Sequence, residues 1–173
     1  MTSSTTMRVP LAIAAAEAAR GPSISNESRK RCWKPRLATI RSALEPGSTV
    51  VVRISVRAKA NLDSPIVGFM FRNHLGVDLA GTNTARERAE LPAMLAGDVC
   101  TVDFYVDLPV LYAAWFSFSP AVANGTLEHY TTCDWIDNAL VLHMEKAREA
   151  IYGQQHLPCR VAVNAKVGSA VGR

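Results

Sequence analysis

The sequence lacks any long run of apolar residues. None of its stretches approaches the roughly 18 apolar residues that a membrane-spanning helix needs. The apolar segment VPLAIAAAEAAR, which follows Arg8, opens at Pro10 and meets its first charge at Glu17. A short alanine-rich helix that begins at Pro10 fits this segment at least as well as a signal peptide does. The sequence therefore predicts no helical membrane span.

Cysteine is also scarce, and its four copies are far apart. Zinc sites usually take pairs of ligands at short spacing, and no C-x-x-C pair occurs here. Two disulfides are allowed by count alone, but Cys100 and Cys133 lie in apolar, strand-like surroundings where a free cysteine packs as a small hydrophobic residue. The pattern favours reduced thiols, a cytoplasmic setting, and no metal or other cofactor.

The short motifs of common enzyme classes are missing as well. There is no G-x-x-x-x-G-K-[ST] loop, no G-x-G-x-x-G after a strand, no H-E-x-x-H and no G-x-S-x-G. A small hydrolase or transferase that uses His129 and Asp134 remains an alternative, although Asp134 and Asp137 fit better as turn residues. We therefore predict a protein that is not an enzyme.

Acidic residues are few in the first third of the chain. Residues 1–60 hold 11 Lys or Arg and 3 acidic residues, or 11 − 3 = +8, whereas the remaining 8 basic and 12 acidic residues sum to −4. The excess peaks in Arg29–Arg41, which suits nucleic acid or an anionic membrane. Because this run holds one aromatic residue and no helical basic face, a solvated linker or exposed strand is favoured. We expect no nucleic-acid partner, and a basic nucleic-acid- or membrane-binding module stays an alternative.

Short segments with an apolar residue at every second position begin at about residue 35. In TVVVRISVRA, Val50, Val52 and Ile54 share one face, and the same alternation recurs in IVGFMFRN, VCTVDFYVD and YAAWFSFSP. About seven to nine such strands predict an all-β fold, an antiparallel β-sandwich. We divide the chain into a basic tail or linker over 1–34, partly disordered or with a short helix, a sandwich over 35–163, and a C-terminal tail over 164–173.

One stretch, LDSPIVGFMFRNHLGVDLAGTNT, combines residues with clear roles in a β-fold. Pro65 suits a strand entry, Gly68 allows a close approach on the outer face, and Gly76, Gly81 and Asn83 suit turns. The stretch resembles the Wzt C-terminal domain, found in nucleotide-binding subunits of the ABC transporters that export O-antigen polysaccharide. Further matches in LAGDVCTVDFYVDLPV and TLEHYTTCDWIDNALVLHM extend the resemblance over roughly residues 36–163.

The resemblance implies an immunoglobulin-like sandwich that binds the modified non-reducing end of an O-polysaccharide, so that the transporter accepts finished glycans. It also implies a homodimer that exchanges an edge strand near the C-terminus, here HLPCRVAV, which follows the helix-like segment EKAREAIYGQ. The ATPase half of such subunits is not in this sequence, so this chain alone would not perform export. A place peripheral to the inner membrane follows from the transporter. A binding domain of a glycosyltransferase or methyltransferase system stays open.

A glycan site is expected on an outer sheet face. The strands TVDFYV and AAWFSFS are joined by a short link, and a hairpin about Val110 would set Tyr105 beside Trp115, and Asp103 beside Ser117. Aromatic rings beside a carboxylate and hydroxyls suit the apolar faces and hydroxyl rim of a sugar. Arg53, Arg57 and Arg72 would reach an anionic substituent. The candidate glycan-binding residues are Trp115, Tyr105, Asp103, Ser117, Arg72 and Arg57, with His129, Tyr130 and Trp135 as the second choice.

Overall fold

The computed structural model describes residues 11–15 and 38–162, which form nine strands and no helix. Within these ranges, no helix has the length and apolarity that crossing a membrane requires. The strands are β1 Leu11–Ala15, β2 Ala38–Leu44, β3 Thr49–Ala58, β4 Pro65–Asn73, β5 Asp78–Asn83, β6 Val99–Asp107, β7 Trp115–Gly125, β8 Tyr130–Trp135 and β9 Leu140–Met144.

The strands form two sheets. One has three strands in the order β1-β3-β6, and the larger has the order β2-β9-β7-β4-β5, with β8 also paired to β7. Strands β8 and β9 follow each other along the same edge of β7, because β8 pairs with Ala121–Gly125 and β9 with Trp115–Phe118. The predicted all-β sandwich is confirmed. The expectation of purely antiparallel pairing is wrong, because β1 pairs with β3, and β2 with β9, in parallel.

The core lies between the two sheets and follows the alternation in the sequence. Val50, Val52 and Ile54 of β3 are buried, as are the inward residues of β4 and β7. The ring of Phe69 in the larger sheet meets the ring of Phe104 in the smaller one edge to face, with centroids 5.2 Å apart. The inward side chains of the two sheets thus pack against each other, and the aromatic pair is one of the contacts that join them. The outer faces are the sheet surfaces that a ligand can reach.

Local sequence signals fail at both ends of the chain. Leu11–Ala15, where we expect a short helix, pairs instead with the edge of β3, so ladder hydrogen bonds outweigh the helix propensity of alanine. The predicted helix-like segment over residues 145–154 contains no helix. A helix that short is marginal without a surface to pack on. The strand expected over residues 156–163 does not form in the part described, residues 156–162, which is exposed.

Candidate functional site

The six candidate residues do not form one site, because the hairpin about Val110 is wrong. Strand β6 pairs with β3, where Tyr105 lies opposite Val51, whereas Trp115 of β7 lies opposite His143 in the other sheet. The link between β6 and β7 buries Leu108 and Leu111 in the core as it crosses from one sheet to the other. Pairs of sandwich sheets lie about 10 Å apart, a gap that this link spans. The candidates therefore fall on opposite outer faces.

Tyr105, Asp103 and Arg57 lie on the outer face of the three-stranded sheet, where polar residues pair across strands. Asp103 accepts two hydrogen bonds from the guanidinium of Arg53, at 2.6 and 2.5 Å. The hydroxyls of Ser55 and Thr101 are 2.9 Å apart, and that of Thr49 donates to Asp107 at 2.7 Å. Tyr105 is 76% exposed. Three outward registers of this face are thus bonded polar pairs, while Tyr105 lies opposite Val51 and Arg57 lies opposite Val99.

Trp115, Ser117 and Arg72 lie on the outer face of the larger sheet. Trp115 is 49% exposed, and its ring meets the ring of His143 at 4.9 Å between centroids. Ser117 is only 6% exposed, because the loop between β8 and β9 lies over it. The Ser117 hydroxyl donates to Oδ1 of Asn138 at 2.7 Å, and the backbone N–H of Asn138 donates to the hydroxyl of Ser119 at 2.9 Å. Ser117 is thus a support for this loop.

A groove of about 440 Å³ lies on the same outer face, across strands β8, β7, β4 and β5. Its floor consists of small residues that stand in register: Ala121 lies opposite Gly68 and Trp135, and Gly68 lies opposite Asn83. These positions all lie on the outer face, because positions opposite each other in a sheet share a face. The groove exists because small side chains alternate with core residues on three adjacent strands.

Two glycines of the floor, Gly68 and Gly81, lie in close contact with neighbouring atoms, and at Gly68 those atoms belong to the adjacent strand itself. A Cβ atom on Gly68 would lie 2.6 Å from both the carbonyl oxygen of Thr82 and Cβ of Asn83. The prediction that a neighbouring backbone approaches Gly68 is therefore confirmed. The prediction of a turn at Gly81 is wrong, since Gly81 lies inside β5 beneath the sulfur of Met70, where a Cβ atom would sit at 2.3 Å. Gly76 does have the left-handed φ, 79°, of a turn residue.

The walls of the groove differ in chemistry. On the β8 side stand Trp135, Tyr130 and Leu127, which are all exposed large apolar residues. On the β5 side, the side chains of Asn83 and Arg86 supply polar groups. Thr82 lies opposite the core residue Phe69, so its side chain is on the inner face, and its hydroxyl donates to Glu87. Among the described residues that line the groove, Arg86 is the one that carries a charge. Aromatic surface on one side and hydrogen-bonding groups on the other suit a ligand with apolar faces and a polar rim.

Trp135 is held in place by a network that includes Arg72. The indole Nε1–H of Trp135 donates to Oδ1 of Asp137 at 2.8 Å, and the same oxygen accepts a hydrogen bond from Nη1 of Arg72 at 2.7 Å. Arg72 also forms an ion pair with Asp78, and its guanidinium carbon lies 5.4 Å from the centre of the Trp135 ring. One aromatic wall of the groove is thus fixed both at its N–H edge and on a ring face.

The carboxyl groups of Asp134 and Asp137, on either side of Trp135, have pKa values shifted in opposite directions. The hydrogen bond from Trp135, followed by the bond and charge of Arg72, lowers the pKa of Asp137. Burial raises the pKa of Asp134, and the hydrogen bond from the amide of Trp135 opposes this shift. Within residues 38–162, no hydrogen bond or ion pair joins Asp134 to His129, so the geometry does not assemble the alternative catalytic pair.

Neither the polar wall nor the floor contains a residue that the sequence predicted as a glycan contact, whereas the aromatic wall does. Tyr130 and Trp135 are in the second-choice set, whereas His129 does not line the groove. The local signals for the floor are Gly68, Gly81, Ala121 and Ala123, but a small residue marks a floor only once its neighbours are known. In the described part of the chain, no group of three or more His, Cys, Asp or Glu residues could hold a metal ion.

Comparison with known proteins agrees with this fold. The profile of the Wzt C-terminal domain matches residues 37–156. A solved structure described as the crystal structure of the C-terminal domain of Wzt superposes with a TM-score of 0.61 at 23% identity, covering 70% of this chain and 74% of that one. A search of curated protein sequences finds no match.

The matched range contains the described strands from β2 to β9 and every residue of the groove. Wzt C-terminal domains are associated with the ABC transporters of O-antigen. The match spans well over half of the sequence and includes the Pro65 to Thr84 stretch on which the resemblance rests. The chain belongs to the Wzt C-terminal domain family.

Proposed function

We propose that this domain is a non-catalytic glycan-binding module and that the groove on the larger sheet holds the non-reducing end of an O-antigen-type polysaccharide. The observation that carries the proposal is the groove itself, with Trp135 and Tyr130 on one wall and Asn83 and Arg86 on the other. A sugar ring would stack its C–H face on an aromatic side chain while its hydroxyls bond the opposite wall.

The size of the groove supports a short terminal segment as ligand. About 440 Å³ lies within the range of small-molecule sites, roughly 300–1,000 Å³. The groove is open along the sheet face, so the rest of a long chain can leave it. The lining residue Arg86 adds a positive charge, and none of the lining residues within 38–162 is acidic. We therefore expect a terminal sugar that is neutral or anionic rather than cationic.

The location of the site is tested by filling the groove from its floor. Ala121→Leu places bulk beside Gly68, whereas Ser55→Leu adds bulk to the outer face of the other sheet and serves as the matched control. Calorimetric titration uses O-polysaccharides released from lipopolysaccharides of several structures, with product analysis for turnover. The proposal predicts that Ala121→Leu abolishes binding while Ser55→Leu does not. Equal affinity of both variants, or turnover of a bound glycan, would contradict it.

The proposed partners are a second copy of the domain and the transporter. Within the described residues, β5 and β6 each pair along one edge only. The amide of His156 donates to the carbonyl of Val110 at 2.9 Å, and beyond it residues 157–162 belong to no strand and are exposed. A free segment and free sheet edges are what strand exchange requires. A chain that ends at Gln155 should be monomeric by light scattering, and an unchanged subunit number would exclude this route.

The proposed setting is the cytoplasmic side of the inner membrane, next to the transporter. A domain that accepts only finished glycans would bind them on this side of the membrane, because recognition has to precede their export. The basic run Arg29–Arg41, which motivates the nucleic-acid- or membrane-binding alternative, lies mostly outside the described residues. That alternative predicts DNA affinity with a steep salt dependence, which an electrophoretic shift assay at two salt concentrations would detect.

A further inference from the structure

We propose that Arg72 is a positioning residue of the groove: it orients the indole of Trp135 for ligand and does not contact the glycan itself. This inference rests on the proposed glycan-binding function. Arg72 lies at the end of β4, opposite Asp78 of β5 on one side and Ser117 of β7 on the other. From there its guanidinium reaches the loop that follows β8.

The guanidinium is engaged on several sides by groups of the protein. It pairs with Asp78, donates to Asp137 at 2.7 Å, and lies against the ring of Trp135 at 5.4 Å. A planar guanidinium donates hydrogen bonds in its plane and stacks through its face, so these contacts use both capacities at once. Of the two described residues Arg86 and Arg72, Arg86 lines the groove and Arg72 does not. The charge of Arg72 is thus used inside the network.

Asp137 connects Arg72 to the position of the indole. A single oxygen, Oδ1, accepts hydrogen bonds from both Arg72 and the Trp135 Nε1–H, so a shift of one donor moves the carboxylate that holds the other. Trp135 is 39% exposed and lies at the end of its strand. Packing alone would therefore allow its ring to rotate. The N–H bond and the stacked guanidinium together fix the two side-chain torsions of the tryptophan.

A purely stabilising role explains this network less well. The side chains of Asp78 and Asp137 are 45% and 64% exposed, and ion pairs at such positions contribute little to folding stability. The same contacts can matter more for ligand affinity, because an aromatic ring that is already oriented loses no conformational entropy when a ligand binds. The expected signature is a loss of affinity that is large compared with the loss of thermal stability.

The experiment uses Arg72→Met, which keeps an unbranched apolar stem but removes the charge and the donors. Asp103→Asn is the matched control, since it weakens an arginine–aspartate pair on the outer face of the other sheet. The first readout is the indole N–H resonance of Trp135 in ¹⁵N NMR, assigned by its loss in Trp135→Phe. The second is affinity for the O-polysaccharide that the wild-type protein binds.

We expect Arg72→Met to shift the Trp135 resonance and to weaken affinity about three- to tenfold, the range of an exposed cation–π contact plus lost order. Arg72→Lys should restore part of that affinity, and Asp103→Asn should change neither readout. An unmoved resonance, or unchanged affinity despite a moved resonance, would overturn the inference.

A double-variant cycle separates positioning from direct contact. If Arg72 acts through Trp135, then Arg72→Met causes no further loss of affinity in a Trp135→Ala background. A full additional loss would mean that Arg72 touches the glycan and would refute the positioning role. The two proposals fail differently: if Trp135→Ala leaves affinity unchanged, the groove is not the site, whereas loss in Trp135→Ala with none in Arg72→Met refutes only the role of Arg72.

Discussion

The two outer faces of this sandwich have the same alternating pattern but use it in opposite ways. On the three-stranded sheet, outward residues pair across strands, as Arg53 does with Asp103 and Ser55 with Thr101. On the larger sheet, the outward positions at Gly68 and Ala121 are small, and the bulk stands at the sides in Trp135 and Asn83. A face whose polar groups satisfy one another is closed to a ligand, while a face with a floor and walls offers a groove.

The contrast predicts first that one added methyl group has very different costs on the two faces. Gly68→Ala should lower the free energy of unfolding by about 1–3 kcal/mol, because its Cβ atom would lie 2.6 Å from the backbone oxygen of Thr82. Ser55→Thr also adds one methyl but keeps the hydroxyl that meets Thr101, so it should change the unfolding free energy by less than about 0.5 kcal/mol. Urea denaturation measures both, and equal costs would remove the contrast.

The second prediction compares exposed aromatic residues of the two faces. Trp135→Ala should weaken glycan binding by about 1–3 kcal/mol, as judged from other stacked ligands. Tyr105→Ala should leave affinity unchanged, although Tyr105 is the more exposed ring. Calorimetry on both variants is the measurement, with thermal melting to show that each is folded. Loss of affinity in Tyr105→Ala alone would move the site to the three-stranded sheet.

The third prediction concerns the carboxyl groups on either side of Trp135. Burial raises the pKa of Asp134, so its charged form costs stability, and this cost appears as pH rises from 3.8 through the folded-state pKa. Asp134→Asn should therefore raise the melting temperature at pH 7, with a gain that shrinks as the solution is acidified. Asp137 has a lowered pKa, so its contribution is present above 3.8 and is lost as pH falls through its folded-state pKa.

Asp137→Asn should accordingly lower the melting temperature at pH 7, by a small amount because the side chain is exposed. Melting curves of both variants between about pH 3 and pH 7 provide the check, because this interval includes the pH at which carboxyl groups ordinarily titrate. Shifts of the same sign at pH 7 would show that the environments of these two carboxyl groups have been assigned wrongly.

The smallest expected effect is that of Arg86 on salt dependence. Arg86 lines the groove, and within residues 38–162 no ion pair forms at its side chain, in contrast to Arg53 on the other face. Arg86→Gln should leave affinity for neutral glycans unchanged and weaken binding of anionic ones, with a shallower dependence on salt. Titrations at two ionic strengths measure this. Identical salt dependence in the variant and the wild-type protein would exclude an electrostatic role.

Local patterning explains how much of this fold could be predicted from the sequence. The alternation of Val50, Val52 and Ile54 identifies β3 and its buried face, and the turn at Gly76 follows from residue type. The alternation does not indicate to which sheet a strand belongs. VCTVDFYVD and AAWFSFS alternate in the same way, whether or not they pair with each other. The hairpin about Val110 failed for this reason.

The groove was beyond local reasoning because it requires four strands to be neighbours. Gly68, Ala121 and Trp135 lie far apart in the chain and meet only through the order β8-β7-β4-β5. Trp135 and Tyr130 are only the second choice from the sequence, because the expected hairpin about Val110 puts Tyr105 and Trp115 first. The parallel strand β1 was missed since its partner β3 is distant in sequence, and helix propensity describes only the segment itself.

The central claim is that glycan binds on the outer face of the larger sheet, and methyl NMR tests it most directly. Protein labelled at alanine and threonine methyls is titrated with released O-polysaccharides, while Ala121, Ala123 and Thr132 report on the groove, and Thr49 and Thr101 on the other face. The account predicts that the three groove methyls shift with added glycan while the two others stay in place. Shifts confined to Thr49 and Thr101, or no shift at any of the five with any polysaccharide, would contradict it.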